Sequence, residues 1–142
     1  MTEQNYKNHI RLVPGWHYLT TLLLLALLVG SIINFVRFDP HTHFLDTLVL
    51  GICIVLCIFF LFIRLFALRA QDRAIRAEES LRHYILSGKP IDKQLRLGQI
   101  IALRFAPDEE LVELSKKALS EHLSPKQIKQ AIQQWKADHH RV

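Results

Sequence analysis

Two uncharged apolar runs, separated by ten residues, constrain this chain more than any other feature. Tyr18 to Val36 (YLTTLLLLALLVGSIINFV) and Thr47 to Ile63 (TLVLGICIVLCIFFLFI) hold no Asp, Glu, Lys or Arg. Crossing ~30 Å of hydrocarbon takes about 20 helical residues, and both runs approach that length. A helix apolar on every side belongs in a deep core or in lipid, and 142 residues are too few to enclose two of them. The first run also exceeds the roughly 7–15 apolar residues of a cleavable leader, and its exit, SIINFVRFDP, has no small-x-small cleavage site. The expectation is two retained transmembrane helices, residues 18–36 and 47–68.

The link between them, RFDPHTHFLD (residues 37–46), is short enough to make the two spans antiparallel neighbours, with Pro40 helping to end the first. Lys7 and Arg11 precede the first span, and Arg64, Arg69, Arg73 and Arg76 follow the second, whereas the link has Arg37 beside Asp39 and Asp46. Excess basic charge marks the cytoplasmic side. Both termini are therefore expected there, with residues 1–17 a cytoplasmic segment and 37–46 an external loop. Cys53 and Cys57 lie one helical turn apart in the second span, where the geometry forbids a disulfide, and read as small apolar residues.

Beyond Ile63 no proline or glycine interrupts the chain until Gly88. Apolar positions narrow to Ala70, Ala74, Ala77, Leu81, Tyr84 and Ile85, spaced by threes and fours as on one helical face. The second span is expected to continue as a helical arm, residues 69–88, that offers this stripe to something packed along it. Gly88, Lys89 and Pro90 form a fitting stop. Residues 89–142 read as three short helices packing on the arm. Asp92 is a cap for a helix over Leu95 to Phe105 with Leu97, Ile100, Ile101 and Phe105 inward. Pro107 with Asp108, Glu109 and Glu110 opens the next, with Leu111, Leu114 and Ala118 inward. Ser124, Pro125 and Gln127 make a capping box for the last, whose inward face is Ile128, Ala131, Ile132 and Trp135. The fold class is all-α: a two-helix transmembrane hairpin whose second helix extends into a small cytoplasmic bundle. So small a soluble part gains from docking on the arm or on a second copy.

The segments ALRAQDRAIRAEESLRHYILSGKPID, QIIALRFAPDEE and LSPKQIKQAIQQWKADHHRV, with QNYKNHIRLVPGWHY at the start, resemble the bacterial family catalogued as domain of unknown function 6526. The resemblance spans essentially the whole chain. It implies a bacterial two-span membrane protein and supplies no catalytic or ligand residues.

Sites must then be judged on their own chemistry. His41 and His43, with Asp39 and Asp46 near, could offer nitrogen and oxygen ligands to a borderline metal; a polar turn that caps helices explains them equally well. His139 and His140 beside Asp138 stand in the same position. The stretch ELSKKALSEHLSPKQIKQAI, within residues 108–137, resembles a helix-turn-helix with Lys126, Lys129 and Gln130 on its second helix. Against nucleic acid, the acidic group Asp108 to Glu110 with Glu113 sits on the preceding helix. From Arg69 onward, 14 Lys and Arg face 10 Asp and Glu, too small an excess for a basic groove. Arg69, Arg73 and Arg76 share a face and, with Arg64, suit anionic headgroups, each contributing about 1 kcal/mol beside anionic lipid. There is no phosphate loop, no HExxH and no nucleophile elbow, so neither an enzyme nor a cofactor is expected. Neither span carries an ionisable residue away from its ends, which disfavours transport. The expected role is a membrane scaffold or adaptor that meets itself or a protein partner.

Overall fold

The computed structural model describes residues 4–6, 8, 12–37 and 39–138. Lys7, Arg11, His139 and His140, which entered the topology and metal expectations, lie outside the described residues. Among the described residues every regular element is helical. A π-helical segment, Gly15–Thr20, leads into α1 (Thr21–Arg37), followed by α2 (His43–Ser87), α3 (Leu97–Leu103), α4 (Asp108–Ser120) and α5 (Pro125–Ala131). The chain divides into two compact units: Leu12–Ala67, and Leu68–Val142 with Met1–Arg11. Helix α2 contributes residues to both.

Two helices, Gly15–Arg37 and His43–Ser87, are long and apolar enough to cross a membrane, with mean hydropathies of 2.4 and 3.0 over their most apolar stretches. Only 6% of each apolar stretch is buried. Trp16 stacks on Phe60 with centroids 4.3 Å apart, the Cys53 thiol faces the Leu27 carbonyl at 3.9 Å, and Phe35 lies 5.2 Å from His43. Partners that rise along α1 fall along α2, so the two helices run antiparallel at these points. Ser31 and Cys53, both small, are the buried residues at this contact. In the wide π turn, Thr20 Oγ1 donates to the Gly15 carbonyl at 2.9 Å and Thr21 Oγ1 to that of Trp16 at 3.4 Å, partners that the looser backbone ladder leaves available. Helix α1 ends before Pro40, as expected.

The second unit is built around Ile100, Leu103, Leu111, Ala118 and Ile128, each at most 1% exposed. Helix α4 turns Leu111, Leu114 and Ala118 inward, as its spacing predicts. Its end is a Schellman turn: Leu123 N–H donates to the Ala118 carbonyl at 3.0 Å and His122 N–H to that of Leu119 at 3.3 Å, with His122 at φ 51°. The predicted capping box of α5 is present, Gln127 N–H donating to Ser124 Oγ at 3.3 Å and Ser124 N–H to Gln127 Oε1 at 2.8 Å. Gly88, at φ 69°, closes α2 with its N–H on the Tyr84 carbonyl at 2.8 Å.

Three expectations are corrected here. Helix α3 starts at Leu97, not near Asp92, because Asp92 Oδ1 accepts the Gln94 N–H at 2.8 Å and holds a turn. Gln99 Oε1 then caps the Arg96 N–H at 2.7 Å. The shifted start buries Leu95 at 4% exposure, leaves Leu97 38% exposed and leaves Ile101 half-buried. Helix α5 stops at Ala131 because the Glu110 carboxylate accepts the N–H groups of Gln133 at 3.1 Å and Gln134 at 2.9 Å. Ile132 is therefore extended, with ψ 123°, and Trp135 packs from a non-helical tail, stacked on Phe105 at 4.5 Å. The third correction concerns the arm. The bundle covers Ile75, Glu79 and His83, while Leu81, Tyr84 and Ile85 stay 60%, 54% and 72% exposed, and Ala74 and Ala77 are also exposed. Polar side chains on the covered face find bonding partners in the bundle that the apolar stripe could not supply.

Candidate interaction face

From Leu68 to Ser87, α2 has two unlike sides. The covered side is organised by Arg82, whose side chain is 14% exposed. Its Nη1 pairs with Glu79 Oε2 at 3.0 Å, its Nε with Asp108 Oδ1 at 2.6 Å, and its Nη2 donates to the Ala106 carbonyl at 2.7 Å. The planar guanidinium thus bonds a carboxylate one turn back on its own helix, the first residue of α4, and the loop before it. Asp108 also lies at the positive end of the α4 dipole, where a carboxylate is favoured. Next to it, His83 Nε2 lies 3.2 Å from Ser115 Oγ, and Nδ1 lies 3.1 Å from the Lys89 carbonyl. A histidine beside a serine has the outline of a base and nucleophile. Here both are buried, and Ser115 Oγ donates to the Val112 carbonyl at 2.7 Å. The pair is a packed polar joint between arm and α4.

A cleft of about 370 Å³ borders this joint, lined by Gln71, Ile75, Glu78, Arg104, Lys136 and Asp138 among others. Arg104 Nε reaches Asp138 Oδ2 at 3.2 Å. Gln4 clasps the same residue through its backbone, Oε1 accepting the Asp138 N–H at 2.7 Å and Nε2 donating to the Asp138 carbonyl at 3.3 Å. Both charge signs line this cleft, and the chain's own tail forms one of its walls.

The opposite side of the arm carries Ala74, Ala77, Leu81, Tyr84 and Ile85, all exposed. An apolar groove of about 380 Å³ runs beside it, bordered by Leu81, Ile85 and Leu86 with Glu78, Asp108 and Lys136 at its polar edge. Contiguous exposed apolar residues on a small domain mark surfaces that meet a partner. Of the other residues in the expected interaction face, Ile128 is buried in the core, Ile132 is half-buried, and Trp135 lies on Phe105. These three hold the bundle together.

The chain belongs to the family of unknown function DUF6526, whose model matches residues 1–142. No curated protein and no solved structure matches.

Asp39 Oδ1 accepts the His41 N–H at 2.9 Å, and the Asp39 carbonyl accepts that of His43 at 2.8 Å, so this turn prepares the start of α2. Among the described residues no group of three His, Cys, Asp or Glu is arranged to hold a metal. Helices α4 and α5 do meet through a short turn, but α5 has seven residues, and Lys129 Nζ lies 5.5 Å over the Phe105 ring. Glu110, on the preceding helix, is occupied by the tail. Arg69, Arg73 and Arg76 are exposed, whereas Arg64 is half-buried. Glu79, Arg82 and His83 escaped sequence reading. Their only signal is a run of polar residues at one-turn spacing opposite the alanines.

Proposed function

We propose that this protein is a bacterial integral membrane scaffold. In this reading α1 and the first part of α2 form a hairpin anchor in the cytoplasmic membrane, with both termini cytoplasmic. The helical unit that begins at Leu68 then offers the outer side of its arm to a protein partner. The observation that carries the reading is the exposure of Leu81, Tyr84 and Ile85 on an arm whose other side is already occupied.

Support for the anchor comes from the 6% burial of both apolar stretches and from the basic residues Arg64, Arg69, Arg73 and Arg76, which follow the uncharged run Thr47 to Ile63 and suit anionic headgroups. The short link with Asp39 and Asp46 suits the external side. No catalytic step and no cofactor belong to this reading.

Three measurements test it. Alkaline carbonate should leave the full chain in the membrane pellet, and a thiol reagent that cannot cross the membrane should label Asp39→Cys in intact cells but not Glu113→Cys. Crosslinking in native membranes should then trap a protein on the arm. Release by carbonate, or a chain that is recovered alone and monomeric, would overturn the proposal.

A further inference from the structure

The outer side of the arm has a repeat that points to its occupant. Ala70, Ala74, Ala77, Leu81 and Tyr84 are separated by four, three, four and three residues, the d-a-d-a-d order of a left-handed coiled coil. In that register Ile75 and Arg82 take b positions, His83 c and Glu79 f, all on the far side of the helix. The bundle docks on those positions and leaves Ala77, Leu81 and Tyr84 exposed, with Ala74, also exposed, at the rim of the cleft beside Arg104. Leu81 at 60% and Tyr84 at 54% exposure are the residues a second helix would cover.

Charge selects between orientations. Arg73 falls at g and Glu78 at the next e, and both are exposed. In a parallel pair g faces the following e of the other helix, so each Arg73 meets the other copy's Glu78 and the pair occurs twice, once on each side of the seam. An antiparallel pair would place g against g and e against e, so Arg73 and Glu78 would not meet across the seam. We propose that the arms of two copies of this chain form a parallel, in-register two-stranded coil through Ala74, Ala77, Leu81 and Tyr84, with reciprocal Arg73–Glu78 pairs.

This rests on the membrane reading, which by itself makes the arms parallel: two copies inserted with the same topology send them in one direction. It also answers an energetic objection. Twenty helical residues span ~30 Å, about three heptads, which is marginal for free chains. Confinement to one bilayer replaces a bimolecular encounter by a local one at far higher effective concentration. Alanines toward the start of the arm allow close approach, and Leu81 and Tyr84 supply apolar area further along.

The test uses the full chain in native membranes, with Cys53→Ala and Cys57→Ala as background and one new cysteine at a time. Mild oxidation should give a homodimer from Leu81→Cys and Ala77→Cys and severalfold less from Arg76→Cys, which sits outside the seam. Arg73→Glu or Glu78→Arg should each reduce the Leu81→Cys dimer severalfold, and the two together should restore it. Equal yield at Arg76 and Ala77, no rescue by the double reversal, or an adduct with another protein in place of the homodimer would overturn the coil. Carbonate extraction of the same samples separates the two failures. Loss of the dimer with the chain still in the pellet sinks the coil alone, and a chain found in the supernatant sinks the membrane reading.

Discussion

Arg82 on the arm and Asp108 at the start of α4 meet at 2.6 Å, although they are 26 residues apart in the chain. The same guanidinium also holds Glu79, whose side chain is only 10% exposed. Removing Arg82 would therefore strand a carboxylate in a largely dry setting, and stranding one member of a buried pair costs more than the pair contributes. Arg82→Ala should destabilise the unit from Leu68 onward by roughly 2–3 kcal/mol, below the full penalty because Asp108 is open to water. Arg82→Lys, which keeps the charge but loses the fork, should fall between. Urea melts of the full chain in detergent, followed by helicity, check both; an unchanged midpoint for Arg82→Ala would remove it as the docking residue.

Two neighbours on the arm should behave oppositely. His83 is 8% exposed and its ring lies against Ser115 and Lys89, so His83→Ala removes a buried, hydrogen-bonded side chain between arm and α4 at a cost of about 1–3 kcal/mol. Tyr84, one residue on, is 54% exposed. Tyr84→Ser should shift stability within about 0.5 kcal/mol in the dissociated chain. Melts at detergent dilutions that separate copies give the comparison, and equal losses would contradict the two-sided arm.

Much of this was legible because it rests on patterns the backbone must obey. Apolar runs long enough to cross a bilayer, Gly88 at a left-handed position, the Ser124–Gln127 cap, and Leu111, Leu114 and Ala118 at helical spacing all follow from local rules. What was illegible depended on choices between comparable partners. The stripe Ala74, Ala77 and Leu81 is an acceptable packing face, and hydrophobicity alone prefers it to Ile75, Glu79, Arg82 and His83. The bundle chose the second because Asp108, Ala106 and Ser115 bring matching groups from distant sequence. Likewise Ile132 and Trp135 continue the helical spacing of α5, and only the Glu110 carboxylate, more than 20 residues earlier, ends the helix ahead of them. Interactions between side chains and backbone at long separation leave no periodic trace.

His122 occupies the left-handed position of the α4 turn at φ 51°, where a side chain normally raises the energy. It is exposed, so little is lost by trimming it. His122→Gly should stabilise the unit by about 0.5–1 kcal/mol, the relief of the left-handed strain exceeding the entropy that glycine adds to the unfolded chain. His122→Val, β-branched and intolerant of positive φ, should destabilise it. A lower melting temperature for the glycine variant would show that the histidine contributes a contact beyond its backbone.

Glu110 Oε1 and Oε2 hold the N–H groups of Gln134 and Gln133, and the Lys136 N–H continues the attachment on the Phe105 carbonyl at 2.8 Å. Between these anchors Trp135 stacks on Phe105. Charge-assisted bonds to backbone N–H groups are roughly twice as strong as neutral ones, so Glu110→Ala should loosen the tail by about 1–3 kcal/mol and send Trp135 toward water. In a Trp16→Phe background the remaining indole reports this as a red shift of emission and faster quenching by acrylamide, with the helicity of α4 retained. Glu110→Gln, which keeps one acceptor oxygen, should give a smaller shift. Emission unchanged in Glu110→Ala would mean that the stack on Phe105 holds the tail by itself.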